Sequence, residues 1–343
     1  MNLKELSELL GLSQTTVSRA LNGYPEVSEA TRKKVMLAAK DHNYTPNTRA
    51  RSLATGRSHA VGHVIPLSLE HEVVNPVFTD FLAGASEIYS RENYDMLISV
   101  VPVDQEAETY RKIASKGSVD GVIVHGPAIN DPRIELLRRI NMPFVVHGRS
   151  GGDDEDSYSW VDMNNTRAFE RATRFLLDLG HRRIGLINGL EHMDFAAKRR
   201  AGYKRALAAY GIEEDPALCR AEEMTESYGY AATNALLDGP EPPTALLTSS
   251  IIPAFGARRA LDERALVLGK DVSLIIHDDD LSYLRNGGKE PIYTATRSSV
   301  RQAGRMCAEL LMQKIADPST PVRHELLDAD LIIGETTGPA PQS

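Results

Sequence analysis

The chain has 343 residues, 42% hydrophobic and 25% charged, an ordinary globular balance that excludes a fibrous or disordered polymer and suits two to three domains. It contains no apolar run of about 18 residues and no signal-like core in Met1–Leu10, and its lone Cys219 and Cys307 cannot form a disulfide framework or zinc site. The expected location is therefore the reducing cytoplasm. The net charge of −8 is uneven: residues 1–58 carry nine Lys/Arg against five Asp/Glu, leaving +4 there and −12 elsewhere, so a polyanion partner is expected for the head alone.

In chain order, Leu3, Leu6, Leu9 and Leu10 recur at helical spacing, and Gly11 stops the first helix. Ser13 can cap a second helix from Gln14 to Leu21, with Val17, Ala20 and Leu21 inward. Asn22, Gly23 and Pro25 break the chain, and Ser28 can cap a third helix to about His42, buried through Val35, Ala38 and Ala39. Two short helices across a tight glycine turn, packed on a third, form a helix-turn-helix. The first turn of the second helix presents Gln14, Thr15 and Ser18 to a major groove, with Arg19 and Asn22 near phosphates or bases. A generic three-helix module with a polar surface would share that spacing.

The residues themselves go further. "GLSQTTVSRALNGYPEVSEATRKKV" followed by "NYTPNTRARSLATGRS" resembles, without a break from Leu3 to Ser58, the headpiece of the lactose/galactose repressor (LacI/GalR) family. The resemblance adds Thr16, Tyr44, Asn47 and Arg49 to the DNA-binding set. Asn47 can cap a short helix over 48–55, closed by Gly56, which is marginal alone and needs a dimer mate and DNA to fold. In the family the residue matching Leu53 wedges into a minor-groove step; the plainer alternative is packing on its own body.

From Ala60 onward, apolar runs at 60–66, 96–101, 121–125, 144–147, 184–189, 245–248, 273–277 and 331–334 alternate with helical patterns. The helices fall at 78–92, 106–116, 165–179, 198–210, 228–238, 253–264 and 300–316. The pattern predicts parallel sheets in two α/β lobes, with no close internal repeat visible. "NPVFTDFLAGASEI", "VDGVIVHGP", "MPFVVHGR", "LGHRRIGLING", "KRRAGYKRAL", "VSLIIHDDD" and "ATRSSVRQAG" continue the resemblance in family order. It implies an all-α head and a two-lobed body like a periplasmic sugar-binding protein, crossed three times. The expected domains are 1–46 (head), 47–59 (hinge) and 60–340 (effector binding and dimerisation). Lobe 1 is expected at 60–162 and 293–324, and lobe 2 at 163–292 and 325–340.

Ligands of open α/β sheets bind beyond the carboxyl ends of the strands. The effector candidates are thus Asn75 and Phe78, His125, His147 and Arg149 in the first lobe, and Arg199, Ser250 and Asp278 in the second. Arg199, three residues before a glycine, and Asp278 match the family's effector-contacting arginine and aspartate, while Asp279 is left to cap a loop. Phe78 could be core and Arg199 a surface ion pair. Three departures mark a specialised pocket: Ser250-Ile251 where an Asp is usual, Gly148 where many members have Asp, and the histidines His147 and His277.

Enzyme readings fare poorly. His125, His147 and His277 lack local zinc spacing, Asp278–Asp280 has no phosphate loop beside it, and neither G-x-S-x-G nor G-x-G-x-x-G occurs. The expectation is a cofactor-free regulator, a repressor rather than an enzyme. It would bind a pseudo-palindromic operator as a homodimer, a tetramer being left open, with no membrane partner and a carbohydrate effector. A purine or other non-sugar effector, an activator, and a sugar-binding protein without a DNA role are the alternatives.

Overall fold

The computed structural model describes residues 1–44, 56–67, 75–152 and 155–342. It divides into two compact units, Met1–His59 and Ala60–Ser343. In the first, α1 (Leu3–Leu10) starts in a capping box: the Asn2 side chain accepts from the Glu5 N–H, and the Glu5 carboxylate returns to the Asn2 N–H. It stops at left-handed Gly11. Helix α2 (Gln14–Leu21) is capped by Ser13, and α3 (Glu29–Asp41) by Ser28, as their positions predict. Leu6, Val17, Ala20, Val27, Val35 and Ala39 close a small core between the three helices. The linker helix expected over 48–55, with Asn47, Arg49 and Leu53, lies outside the described residues.

The second unit holds two six-stranded sheets. The first contains β1 (Ala60–Leu67), β2 (Asp95–Pro102), β3 (Gly121–His125), β4 (Phe144–His147) and β5 (Trp160–Met163). The second contains β6 (Ile184–Asn188), β7 (Cys219–Ala221), β8 (Ala245–Thr248), β9 (Ser273–Asp278) and β10 (Thr294–Arg297). The two late strands divide: β11 (His324–Leu327) pairs with β5 and β12 (Asp330–Ile332) with β10. Strand orders are β11-β5-β4-β3-β1-β2 and β12-β10-β9-β8-β6-β7, parallel throughout except for β12.

Helices cover both faces of each sheet. They are α4 (Pro76–Arg91), α5 (Glu106–Ser115), α6 (Pro132–Arg139), α7 (Asn165–Asp178), α8 (Asp194–Ala209), α9 (Glu226–Leu237), α10 (Ile251–Glu263) and α11 (Val300–Ala316). In β3, Ile123 buries on the face carrying Phe81 and Leu311, while Val122 and Val124 bury on the face carrying Tyr110 and Leu137. Burial on both faces is why these strands read as unbroken apolar runs.

The structure corrects several boundaries. Strands β5, β7, β10 and β11 were not expected: they are only three or four residues long and carry polar side chains such as Asp162, Arg220, Thr296 and Glu325. Helix α6, "PRIELLRR", was also unexpected; its few apolar residues hide among charges behind an Asp131 cap. Because β10 belongs to the second sheet and β11 to the first, the later crossings fall between 297 and 300 and between 327 and 330. Both come after the expected 292 and 324.

Candidate functional site

In the head, α2 leaves Gln14, Thr15 and Arg19 exposed, while Ser18 is half-buried. Thr16 is committed locally: its N–H donates to the Ser13 hydroxyl at 3.0 Å, and the two hydroxyls lie 2.8 Å apart. Asn22 donates its amide to the Ser18 carbonyl at 2.9 Å and so finishes the helix. Tyr44 packs on the head core, where burial pushes its phenol up. The exposed donor–acceptor edge of α2 is therefore Gln14 and Thr15, with Arg19 as its cation and half-buried Ser18, which accepts from the Asn22 amide at 3.5 Å, beside them.

In the body, the described residues of the two lobes meet at several places, among them Lys198 of α8, which lies 3.8 Å from Asp162 of β5. The 127–129 segment bonds the 192–194 segment, with the Ile129 N–H donating to the His192 carbonyl at 3.0 Å and the Asp194 N–H to the Pro127 carbonyl at 3.2 Å. On another edge, buried Asp80 of α4 accepts from the Ser282 N–H at 2.8 Å. Between these contacts the carboxyl ends of the two sheets face one another.

The second lobe contributes charge. Arg199 is 6% exposed on α8, its guanidinium between the rings of Phe169 and Phe195 at 5.1 and 5.0 Å. It donates to Asn165 Oδ1 at 2.7 Å and to the Ser249 carbonyl, using two of its five N–H groups. Burial pushes its pKa down to about 10, against the pull of Asp279 and Asp162. The motif's glycine explains the placement. A Cβ on Gly202 would stand 2.1 Å from the Thr166 carbonyl oxygen, so glycine lets α8 sit tightly on α7 and brings Arg199 to Asn165.

The acidic partner differs from the expected one. Asp278 is buried and already used: it accepts from Arg297 Nε at 2.9 Å and from the Asp280 N–H at 2.9 Å. Asp279, expected only to cap a loop, is the neighbouring carboxylate on which Arg199 and, from the opposite lobe, His147 act. It lies 3.3 Å from His277 Nε2. Burial pushes its carboxyl up, but His277, Arg199 and, from the opposite lobe, His147 outweigh that and hold it below its ordinary value. Successive residues at a strand end point to opposite sides, so the sequence could not choose between neighbouring aspartates. Ser250 is buried and caps α10 through its hydroxyl, which accepts from the Ile252 N–H.

The first lobe contributes neutral rings. Phe78 is half-buried and stands edge-on to His125 at 5.3 Å, and Phe81, which sequence reasoning overlooked, lies against His147 at 4.5 Å. His147 is pushed down to about 4 by burial, against Asp162 and Asp279, and His125 well below its ordinary value by burial and by His63. Asn75 is exposed and caps α4 by accepting from the Val77 N–H at 3.0 Å. Arg149 is spent inside its own lobe, donating to Asp162 at 2.7 Å and lying over Trp160 at 4.9 Å. Gly148 has φ +109°, and a Cβ there would come 2.8 Å from Pro127, which is a physical reason for glycine where Asp is common.

The histidines do not form a zinc site: His277 lies in the second lobe and bonds Thr296 at 3.0 Å. Among the described residues no three His, Cys, Asp or Glu side chains are placed to hold a metal. A cavity of about 330 Å³ lies elsewhere, between α8 and Glu191 and Glu214, but its Arg200 and Lys204 are paired with those carboxylates.

A helix-turn-helix head followed by a two-lobed binding body defines a class, the ligand-responsive DNA-binding transcriptional regulators. Residues 2–47 match the lacI family of bacterial regulatory proteins, and residues 173–337 the periplasmic binding protein-like domain. The chain belongs to the LacI family: it is 45% identical to the HTH-type transcriptional regulator AglR of Rhizobium meliloti (strain 1021), over 99% of this chain and 95% of that one. It is 30% identical to the HTH-type transcriptional regulator CelR of Thermobifida fusca over 97% of both chains. A solved CelR–cellobiose complex superposes with a TM-score of 0.73 at 28% identity, covering 98% of this chain and 99% of the other. The lac repressor dimer bound to operator and the anti-inducer ONPF shares the fold, with a TM-score of 0.81 at 24% identity over 98% and 99%. These relatives are regulators, not enzymes.

Proposed function

We propose that the protein is a cytoplasmic repressor that binds a pseudo-palindromic operator as a homodimer and is controlled by a neutral carbohydrate held between its lobes. The observation that carries the effector class is buried Arg199 within electrostatic reach of Asp279, a cation and an anion near the carboxyl end of one sheet. Such a pair suits hydroxyl groups, which accept from one and donate to the other, better than a phosphate. Phe78 adds a ring-sized apolar face, and the similarity to a cellobiose-bound regulator supports a sugar.

Gln14, Thr15, Ser18 and Arg19 are the proposed base- and phosphate-reading edge, extended by Tyr44 and, beyond the described residues, by Asn47, Arg49 and the Leu53 wedge. Thr16 and Asn22 serve mainly to hold α2 in shape.

Fluorescence anisotropy with upstream DNA, with and without a disaccharide panel, tests this reading. Release from DNA by a sugar is expected. Steep salt dependence should accompany binding, because each phosphate that the basic head neutralises releases condensed counterions. Gln14→Ala should relax preference at one base position, and a uniform loss over all sequences would contradict base reading by Gln14. Tight purine binding with indifference to sugars would overturn the effector class.

A further inference from the structure

The first lobe holds a buried hydrogen-bonded chain that the reading above does not use. His63 lies in the middle of β1 at 0% exposure. Its Nε2 is 3.1 Å from the hydroxyl of Tyr89 on α4, and its Nδ1 is 3.0 Å from Nε2 of His125. His125 sits at the carboxyl end of β3 at 2% exposure, and its remaining nitrogen, Nδ1, is buried without a hydrogen-bond partner among the described residues. The end of β3 is anchored: Arg133, paired with Glu106 and Asp131, donates to the carbonyls of His125 and Gly126 at 3.1 and 3.2 Å. The ring is fixed beside Phe78 and His147, at the end of the sheet where ligands bind.

Counting protons gives the chain a direction. Burial holds both imidazoles neutral, with His63 at about 3 and His125 well below its ordinary value, so each ring carries one N–H. Among the described residues the Tyr89 hydroxyl has His63 as its hydrogen-bond partner. If Tyr89 accepted, its own proton would be stranded in the apolar core, at a cost of about 1–3 kcal/mol. Tyr89 therefore donates to His63 Nε2. The His63 proton is then on Nδ1 and is donated to His125 Nε2. The His125 proton is left on Nδ1, the one atom of the chain still without a partner.

We propose that His125 is a specificity-determining hydrogen-bond donor of the cleft, its proton held on Nδ1 by Tyr89 acting through His63, so that the effector must place an acceptor oxygen beside Phe78. Ring, glycosidic and hydroxyl oxygens satisfy it, whereas a protonated amine at that position does not. The inference rests on reading the cleft as the effector site, and it names Tyr89 and His63 as positioning residues.

The test uses the full-length protein with ¹⁵N-labelled histidine rings. Ring-nitrogen spectra without effector should show His63 and His125 both protonated on Nδ1, and Tyr89→Phe should release that pattern. His125 protonated on Nε2 in the wild type, or a Tyr89→Phe spectrum identical to it, overturns the relay. Calorimetry against cellobiose, maltose, sucrose and trehalose supplies the second arm. For the tightest of these, Tyr89→Phe should weaken binding threefold to tenfold, and His125→Leu more than tenfold. His125→Asn, whose amide nitrogen falls near the Nδ1 position, should recover part of that loss. If Asn binds no better than Leu, the donor role is wrong. If no sugar binds at all, the effector reading fails while the ring spectra still decide the relay.

Discussion

The two lobes of the body repeat one another in strand order, differing in the direction of the late strand, which is parallel in β11 and antiparallel in β12, yet they offer the proposed cleft opposite chemistry. Reading each sheet from its late strand gives β11-β5-β4-β3-β1-β2 and β12-β10-β9-β8-β6-β7, the same order offset by five in the first-pass strands. Even the helix contacts correspond: Gly84 of α4 lies against the Arg301 carbonyl of α11, as Gly202 of α8 lies against that of Thr166 on α7. At the cleft the likeness ends. In the proposed effector site the first lobe supplies Phe78, His125 and His147, and the second Arg199 and Asp279. Duplicated scaffolds hold two walls at a fixed geometry, while strand-end residues diverge freely because little of the core depends on them. A sugar, apolar on its ring faces and polar around its rim, suits such unequal walls.

The largest expected effect tests whether the scaffolds are equivalent. Gly202→Ala places a Cβ 2.1 Å from a backbone carbonyl, and Gly84→Ala one at 2.0 Å. Neither helix pair can yield by moving a flexible side chain, so each substitution should cost about 3 kcal/mol or more despite the better helix propensity of alanine. Scanning calorimetry checks this. A fall in stability below about 1 kcal/mol in either variant would break the correspondence.

The next effect is a pH response belonging to one lobe. His63 at about 3 and His147 at about 4 are depressed chiefly by burial, as is His125. The unfolded chain takes up these protons near pH 6.5 while the folded lobe refuses them. The stability they confer is complete above pH 6.5 and drains as pH falls toward their folded values. Each imidazole contributes a slope of about 1.4 kcal/mol per pH unit in that window. In the second lobe His181 is likewise lowered by burial and bonded to Thr244 and Ser273. Acid should therefore loosen the first lobe first, and the single tryptophan, Trp160 in β5, reports on it. Trp160 emission that shifts only together with the far-UV signal of the whole body would contradict a lobe-specific response.

The same asymmetry explains what the sequence disclosed. The head was legible because caps and breakers sit next to the helices they end: Ser13, Ser28 and Gly11 act locally. Strands β1, β3, β4, β6, β8 and β9 were legible because burial on both faces writes a continuous apolar run. Edge strands such as β7 and β11 bury little and left no such mark. Of the effector candidates, Phe78, His125 and His147 lie at the strand and helix ends where the sequence put them, whereas Arg199, expected to open a helix, stands in the second turn of α8, which starts at Asp194. His63 was hidden as one polar residue within an apolar run, and Tyr89 as an aromatic on a helix, because their significance lies in a contact between elements. Two similar lobes were expected from the alternating pattern although no close repeat of sequence is visible, since topology preserves strand order and not side chains.

The smallest effect separates two adjacent aspartates. Asp279 faces Arg199 and His147, so Asp279→Ala should remove a charge-assisted bond to the effector worth about 1.5–3 kcal/mol, a roughly ten- to hundredfold loss of affinity. Asp278 instead holds Arg297 on the neighbouring strand at 2.8–2.9 Å, so Asp278→Asn, which keeps an acceptor, should lower stability while changing effector affinity less than threefold. Arg199→Ala should match Asp279→Ala, because the two face the same ligand from one lobe. Titration calorimetry of the three variants with the tightest-binding disaccharide decides the matter. If Asp278→Asn costs more affinity than Asp279→Ala, the charged wall of the cleft is built on Asp278, and the unequal walls described above must be redrawn around it.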